Sequence, residues 1–144
     1  MGDQMQLGQP LQGTHPAESG LSILDYLLHD TPTIANDMGV FLETIYRMHS
    51  AINQFISTFI YEGKLTAYLD NDRRVVKVPE GYRGPLNKDA GIIFVPVEHE
   101  VNTYASDEEV SMINQLAHEL LGRTFVEKSG KTCLIDWGDM LFVA

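Results

Sequence analysis

The sequence predicts an α+β fold, with a long N-terminal helix and a second helix packed on an antiparallel sheet of hairpin and meander strands, in the order ααβββαβββ. Three observations predict it. Over residues 33–61 the apolar side chains Ile34, Met38, Phe41, Ile45, Met48, Ile52, Phe55 and Phe59 recur at alternating intervals of four and three, the 3.5-residue repeat of a helical seam. A second helical pattern opens at Ser106 and stops at Gly122. Around it, short apolar runs alternate with turns rich in Gly, Asp and Asn, as antiparallel strands do.

Residues 1–18 carry Gly2, Gly8, Pro10, Gly13 and Pro16 among polar neighbours without periodicity, so they read as an extended arm ahead of one domain spanning 19–144. A short helix is expected over 21–29, capped by Ser19 or Ser22, with Ile23, Leu24, Leu27 and Leu28 as its apolar ridge. The long helix then starts at Thr31 and Pro32 and ends at Gly63. At 1.5 Å per residue it would run roughly 40 Å. Its flanking heptad positions, Leu42, His49 and Ile56 on one side and Thr44, Ala51 and Thr58 on the other, are uncharged. A stripe so widened fits a core helix lying on a sheet, or a helix shared between subunits, better than a free zipper.

Residues 64–79 read as a hairpin turning at Asp70-Asn71-Asp72, followed by a long loop over 80–89. Gly91-Ile92-Ile93-Phe94-Val95-Pro96-Val97 is apolar on both faces and predicts a buried central strand. In the second helix, from about Asp107 to Leu121, Ser106 and Glu109 make a capping box, and Val110, Ile113, Leu116, Ala117, Leu120 and Leu121 share the face that lies on the sheet. The remainder predicts a meander: 124–127, a turn at Ser129-Gly130, 132–135, a turn at Asp136-Trp137-Gly138-Asp139, and a last strand over 140–144.

Composition bounds the function classes. Charged residues at 21 % and hydrophobic ones at 44 % are ordinary for a globular chain rather than a disordered one. No apolar run approaches the ~20 residues of a membrane span, and no secretory leader pattern is present. The lone Cys133 excludes an internal disulfide and fits a reducing compartment. A net charge of −10 argues against a broad basic surface for nucleic acid. The charge is uneven, however: residues 64–89 are net positive, whereas 98–109 hold five acids and no Lys or Arg, a segregation that could draw subunits together head to tail.

Candidate chemistry is sparse. His118-Glu119-Leu120-Leu121-Gly122 starts like a zinc-protease helix but has Gly where the second imidazole must stand. Ser129-Gly130-Lys131-Thr132 imitates the end of a phosphate-binding loop, yet Phe125 occupies the place of the required first glycine and a strand follows instead of a helix. Glu98-His99-Glu100 could serve as a metal or acid–base site or simply as an acidic edge, and Asp136 and Asp139 as cation ligands or turn residues. Cys133 reads as an inert strand thiol. Arg73, Arg74, Tyr82 and Arg83, together with Phe41, Met48 and Phe55 of the helical seam, make a set of aromatic, apolar and arginine anchors for a protein partner.

The expectation is therefore a non-enzymatic structural or assembly subunit, a virion, tail or neck component of phage type. It would contact other protein subunits as a homo-oligomer in a virion or cytoplasm, without cofactor, metal, nucleic acid or membrane. The element order is similar to that of small tail-completion proteins of bacterial viruses, with no motif behind the likeness. An acidic inhibitor filling a basic groove of a host protein, and a small metal-dependent hydrolase built on Glu98, His99 and Glu100, are the alternatives.

Overall fold

The computed structural model describes residues 2–3, 5–6, 13–29, 31–98 and 104–143. The chain mixes helices with two small sheets. Helix α1 (Ile23–Leu28) is capped by Ser22, whose Oγ accepts the Asp25 N–H at 3.1 Å while the Asp25 carboxylate accepts the Ser22 N–H in return. Strand β1 (Thr44–Ile45), helix α2 (Ser50–Ile60) and strand β2 (Thr66–Ala67) form a β-α-β unit, with Thr44 opposite Thr66 and Ile45 opposite Ala67 in parallel. Strand β3 (Val75–Val76) pairs antiparallel with β4 (Thr124–Val126), which pairs antiparallel with β5 (Thr132–Leu134). Helix α3 (Asp107–Leu120) precedes β4 and shares with the sheet a groove lined by Val76, Ile113, Leu116, Ala117 and Ile135.

The long N-terminal helix is not there; only residues 50–60 are helical. Ahead of them, the Met38 and Gly39 N–H groups both donate to the Ala35 carbonyl in a tight turn at a glycine, and the β-branched pair Thr44-Ile45 joins a strand. Helix α2 begins where His49 Nδ1 accepts the Ala51 N–H. Ile34, Phe41, Ile45 and Met48 do share a neighbourhood, but as part of the lining, with Ile56, Ile60, Tyr61 and Leu65, of an open cavity of ≈ 870 Å³. The seam had the right residues for an apolar lining and the wrong backbone.

Helix α2 also faces differently from the expectation. Phe55 and Phe59 stand 51 % and 73 % exposed, while Asn53 and Ser57 are buried. Their inward position has a backbone cause. Asn53 Nδ2 and Ser57 Oγ both donate to the Leu65 carbonyl, at 3.1 and 2.9 Å, and the Leu65 N–H donates back to Ser57 Oγ at 2.9 Å. Polar side chains thus fasten the turn that delivers β2 beside β1.

Residues 64–79 are not a hairpin. Between β2 and β3 the chain makes a 3-10 turn at Leu69–Arg73, and the two strands enter different sheets. Residues 91–97 run extended but join no ladder among the described residues, with Phe94 86 % exposed, so they are not a buried central strand. Residues 140–143 likewise form no strand, and Ala144 lies outside the described residues. The second helix and the 124–135 hairpin are present: Ser106 Oγ accepts the Glu109 N–H at 3.2 Å, and Gly122, at φ +77°, takes the left-handed conformation that ends α3. Among the described residues no helix is long and apolar enough to cross a membrane. Within the arm, residues 1, 4 and 7–12 lie outside the description; Asp3 accepts a 2.5 Å hydrogen bond from the Tyr61 hydroxyl.

These assignments order two substitutions. Ser57→Ala strands the Leu65 amide inside the protein and is expected to cost about 1–3 kcal/mol in urea denaturation. Phe59→Ser, at a side chain facing water, is expected to cost less than about 0.5 kcal/mol. The reverse ranking would restore the buried seam.

Candidate functional site

The run from Ile45 to Ser50 is held by side chains of and next to the 3-10 turn at Leu69–Arg73. That turn points Asn71 inward, where it is fully buried. Asn71 Nδ2 donates to the carbonyls of Ile45, at 2.8 Å, and Met48, at 3.0 Å; its Oδ1 accepts from Lys128 Nζ at 3.1 Å. Asp72 accepts the Ser50 N–H at 2.7 Å, and Arg74 Nη1 donates to the Arg47 carbonyl at 2.8 Å. Residues from a single turn therefore grip four backbone groups of the facing loop.

Two side chains are presented outward by that grip. Arg47 is exposed, and among the described residues its guanidinium makes no hydrogen bond or ion pair. The neighbouring Tyr46 ring, 63 % exposed, lies 5.1 Å from the ring of Tyr68, and Lys128 Nζ sits 5.0 Å over that second ring. An exposed aromatic ring such as Tyr46 can stack a heterocycle, and an exposed guanidinium such as that of the next residue, Arg47, can donate to an anion. Asp72 is held below the ordinary aspartate range, first by the Ser50 N–H and also by His49 nearby, whose Nδ1 stands 3.6 Å away.

A second cluster fastens the loop over residues 79–89. The Tyr82 hydroxyl donates to the Glu119 carboxylate and accepts the Leu86 N–H at 3.2 Å. Arg123, almost fully buried, lies 4.3 Å over the Tyr82 ring and donates to the carbonyls of Glu119 and Leu86, each at 2.8 Å. Any Cβ at residue 84 would come within 2.2 Å of the Tyr82 hydroxyl, so only glycine fits there. The Tyr82 bond, with a second from Gln115, lowers the Glu119 pKa. At the end of α2, burial and then the Asp3 carboxylate push Tyr61 up to about 12.

The residues singled out from sequence are dispersed by the structure. Phe41 and Met48 line the large cavity, whereas Phe55 stacks outward on Phe59 at 4.8 Å. Arg73 pairs with Asp70 at 3.2 Å and Arg74 reaches the Arg47 carbonyl, so those two flank one turn. Tyr82 belongs to the Glu119 cluster, with Arg83 exposed beside it. His99 and Glu100 lie outside the described residues, and with them the Glu98-His99-Glu100 candidate. Among the described residues no three His, Cys, Asp or Glu side chains converge as a metal cage. Asp136 and Asp139 cap each other's backbone, and Cys133 is half-buried in β5. Ser129-Gly130-Lys131-Thr132 is the β4–β5 turn: the Gly130 N–H is spent on the Glu127 carbonyl and the Lys131 N–H on Ser129 Oγ, so neither is free for a phosphate. Tyr46, Arg47, Asn71 and Lys128 escaped sequence reasoning, the first two because they were placed inside a helix and Asn71 because it resembled an ordinary turn residue.

The Asp72 contact has a pH signature. Its folded pKa is depressed, so its stabilisation is present above the ordinary value of 3.8 and lost as pH falls through the folded value. The stability gap between the wild type and Asp72→Asn in urea denaturation is expected to be constant from pH 7 to about pH 5 and to close below about pH 4. A gap that persists undiminished at pH 2.5 would refute the assignment.

A family model described as an AAA domain matches residues 21–135, a span that contains every helix and strand described above from α1 to β5. No curated protein and no solved structure matches the chain. The family match overturns the expectation of a non-enzymatic structural or virion subunit, because it points to helicase-like ATPases. That expectation leaned on a forty-ångström rod that the chain does not form, and on the lack of a complete catalytic set within one short stretch. With four-fifths of its length matched, the chain belongs to the AAA domain family.

Proposed function

We propose that this chain supplies part of the nucleotide site of a helicase-like P-loop NTPase, with Arg47 as the residue that meets the phosphates. The family match supports the reaction class, and the single observation that supports the residue is the gripped loop: the carbonyls of Arg47 and Met48 are held by Arg74 and Asn71, and among the described residues the Arg47 guanidinium has no partner. Hydrolysis in this class transfers the terminal phosphoryl group to water. The bond from the γ-phosphorus to the β,γ-bridging oxygen breaks, and negative charge builds on that oxygen and on the phosphoryl oxygens. A guanidinium already in place offsets that charge without reorganising, which is why arginines recur in these sites. Tyr46, backed by Tyr68, offers a flat face to the base, and stacking there orients the nucleotide without consuming a hydrogen bond.

The phosphate-cradling loop of the enzyme is assigned to another segment. Thr132 begins a strand, and the Gly130 and Lys131 amides of the preceding turn are already bonded. The chain is thus a contributor to a composite site.

The test is ATP turnover by the intact protein that carries this chain. Arg47→Ala is expected to lower kcat by on the order of 10³, the scale reported for a charge-stabilising arginine, without a shift in the thermal midpoint. Arg83→Ala, removing an exposed arginine from a different loop, is expected to leave turnover unchanged. Wild-type turnover in Arg47→Ala would end this assignment.

A further inference from the structure

We propose that Asn71 is the positioning residue of this site and that Lys128 sets its orientation, an inference that rests on the nucleotide reading above. Asn71 is the one side chain among the described residues with no accessible surface at all, although it is polar and lies in a connecting turn. An amide has two N–H donors and one carbonyl acceptor, and each finds a partner on a different element: Ile45 at the end of β1, Met48 before α2, and Lys128 in the β4–β5 turn. The two carbonyls it holds bracket Tyr46 and Arg47. These are the residues offered to the ligand.

Geometry explains why an amide occupies this place. Met48 lies between β1 and α2, where among the described residues neither a ladder nor a helix supplies its carbonyl with a donor. Ile45 O also accepts the Tyr68 N–H at 2.9 Å, which leaves the amide to complete its second lone pair. Aspartate would place oxygen against oxygen at both contacts, and a longer amide would not fit a site with no free surface. Lys128 does more than neutralise. By occupying Oδ1 it distinguishes the two ends of the amide and keeps the nitrogen turned towards the 45–48 loop. The cation is steadied in turn by the Tyr68 ring beneath it. A contact between the β4–β5 hairpin and the Arg47 loop follows, although no backbone hydrogen bond joins the three-stranded sheet to the β1–β2 pair among the described residues.

The test has two arms. In the first, the full chain is digested with trypsin under native conditions, and scission after Arg47 is timed against scission after Arg83, which lies in a loop that Asn71 does not touch. Asn71→Ala is expected to speed cleavage after Arg47 by about tenfold or more relative to Arg83, the factor that follows from losing one net hydrogen bond. Equal acceleration at both sites, or none at Arg47, overturns the proposal. Should Asn71→Ala fail to fold, Lys128→Met serves in its place, with an expected selective gain of about threefold at Arg47; no selective gain overturns the proposal. In the second arm, kcat for ATP is measured in the intact protein. Asn71→Ala is expected to lower it in the wild-type background and to add nothing once Arg47→Ala is present. An equal fall in both backgrounds would mean a purely structural role and overturn the positioning claim. If Arg47→Ala alone leaves kcat untouched, the nucleotide reading fails, and the trypsin arm still decides whether Asn71 holds the loop.

Discussion

The buried amide of Asn71 is the constraint on which the functional end of this protein depends. A loop between a strand and a helix has carbonyls that neither element can satisfy, and inside a protein each unsatisfied one costs on the order of 1–3 kcal/mol. One side chain with two donors removes that cost for Met48, fills the second lone pair of the Ile45 carbonyl that the Tyr68 N–H already reaches, and fixes the span between them. Asp72 and Arg74, from the same short turn, extend the grip to Ser50 and to the Arg47 carbonyl. Rigidity at an exposed loop therefore comes from side chain–backbone bonds rather than from ladders.

The same device recurs elsewhere. Asn53 and Ser57 fasten the Leu65 turn, Thr33 donates to Glu62 and accepts from Lys64, and Arg123 spans Glu119 and Leu86. Thr33, Asn53, Ser57 and Arg123 sit deep in the molecule, whereas many large apolar side chains do not. Phe55, Phe59, Phe94, Leu141 and Val143 face outward. Polar pins of this kind hold connecting segments in shape where regular structure is short.

How much of this could be read from the residues alone depended on range. Local signals were legible: Ser22 as a cap, Ser106 with the first turn of α3, Gly122 as its stop, and the Ser129-Gly130 turn between β4 and β5 each act within a few residues, and each is present. Long-range ones were not. Of the seam from Ile34 to Phe59, Ile34, Phe41, Ile45 and Met48 line one cavity while Phe55 and Phe59 face outward, and periodicity does not distinguish one helix from a folded coil followed by a short helix. Asn71 beside Asp70 and Asp72 looked like the tip of a hairpin, since Asn and Asp favour turns. The turn is real, but its strands belong to different sheets, and its middle residue faces inward to partners 26, 23 and 57 positions away. The candidate site was invisible for the same reason: Arg47 acquires its meaning from residues distant in the chain.

The parallel register of Thr44 with Thr66 carries a consequence for how the protein acquires its working shape. Parallel neighbours cannot be joined by a tight turn, so this pair closes only after the intervening helix has folded back across it. Such non-local closure costs chain entropy before any contact rewards it, but Thr44 and Thr66 are far nearer in sequence than Val75 and Val126, which pair in the other sheet. The arginine segment begins at the very end of the first of those strands. It is therefore expected to take its place before the longer closure that carries Lys128 to Asn71.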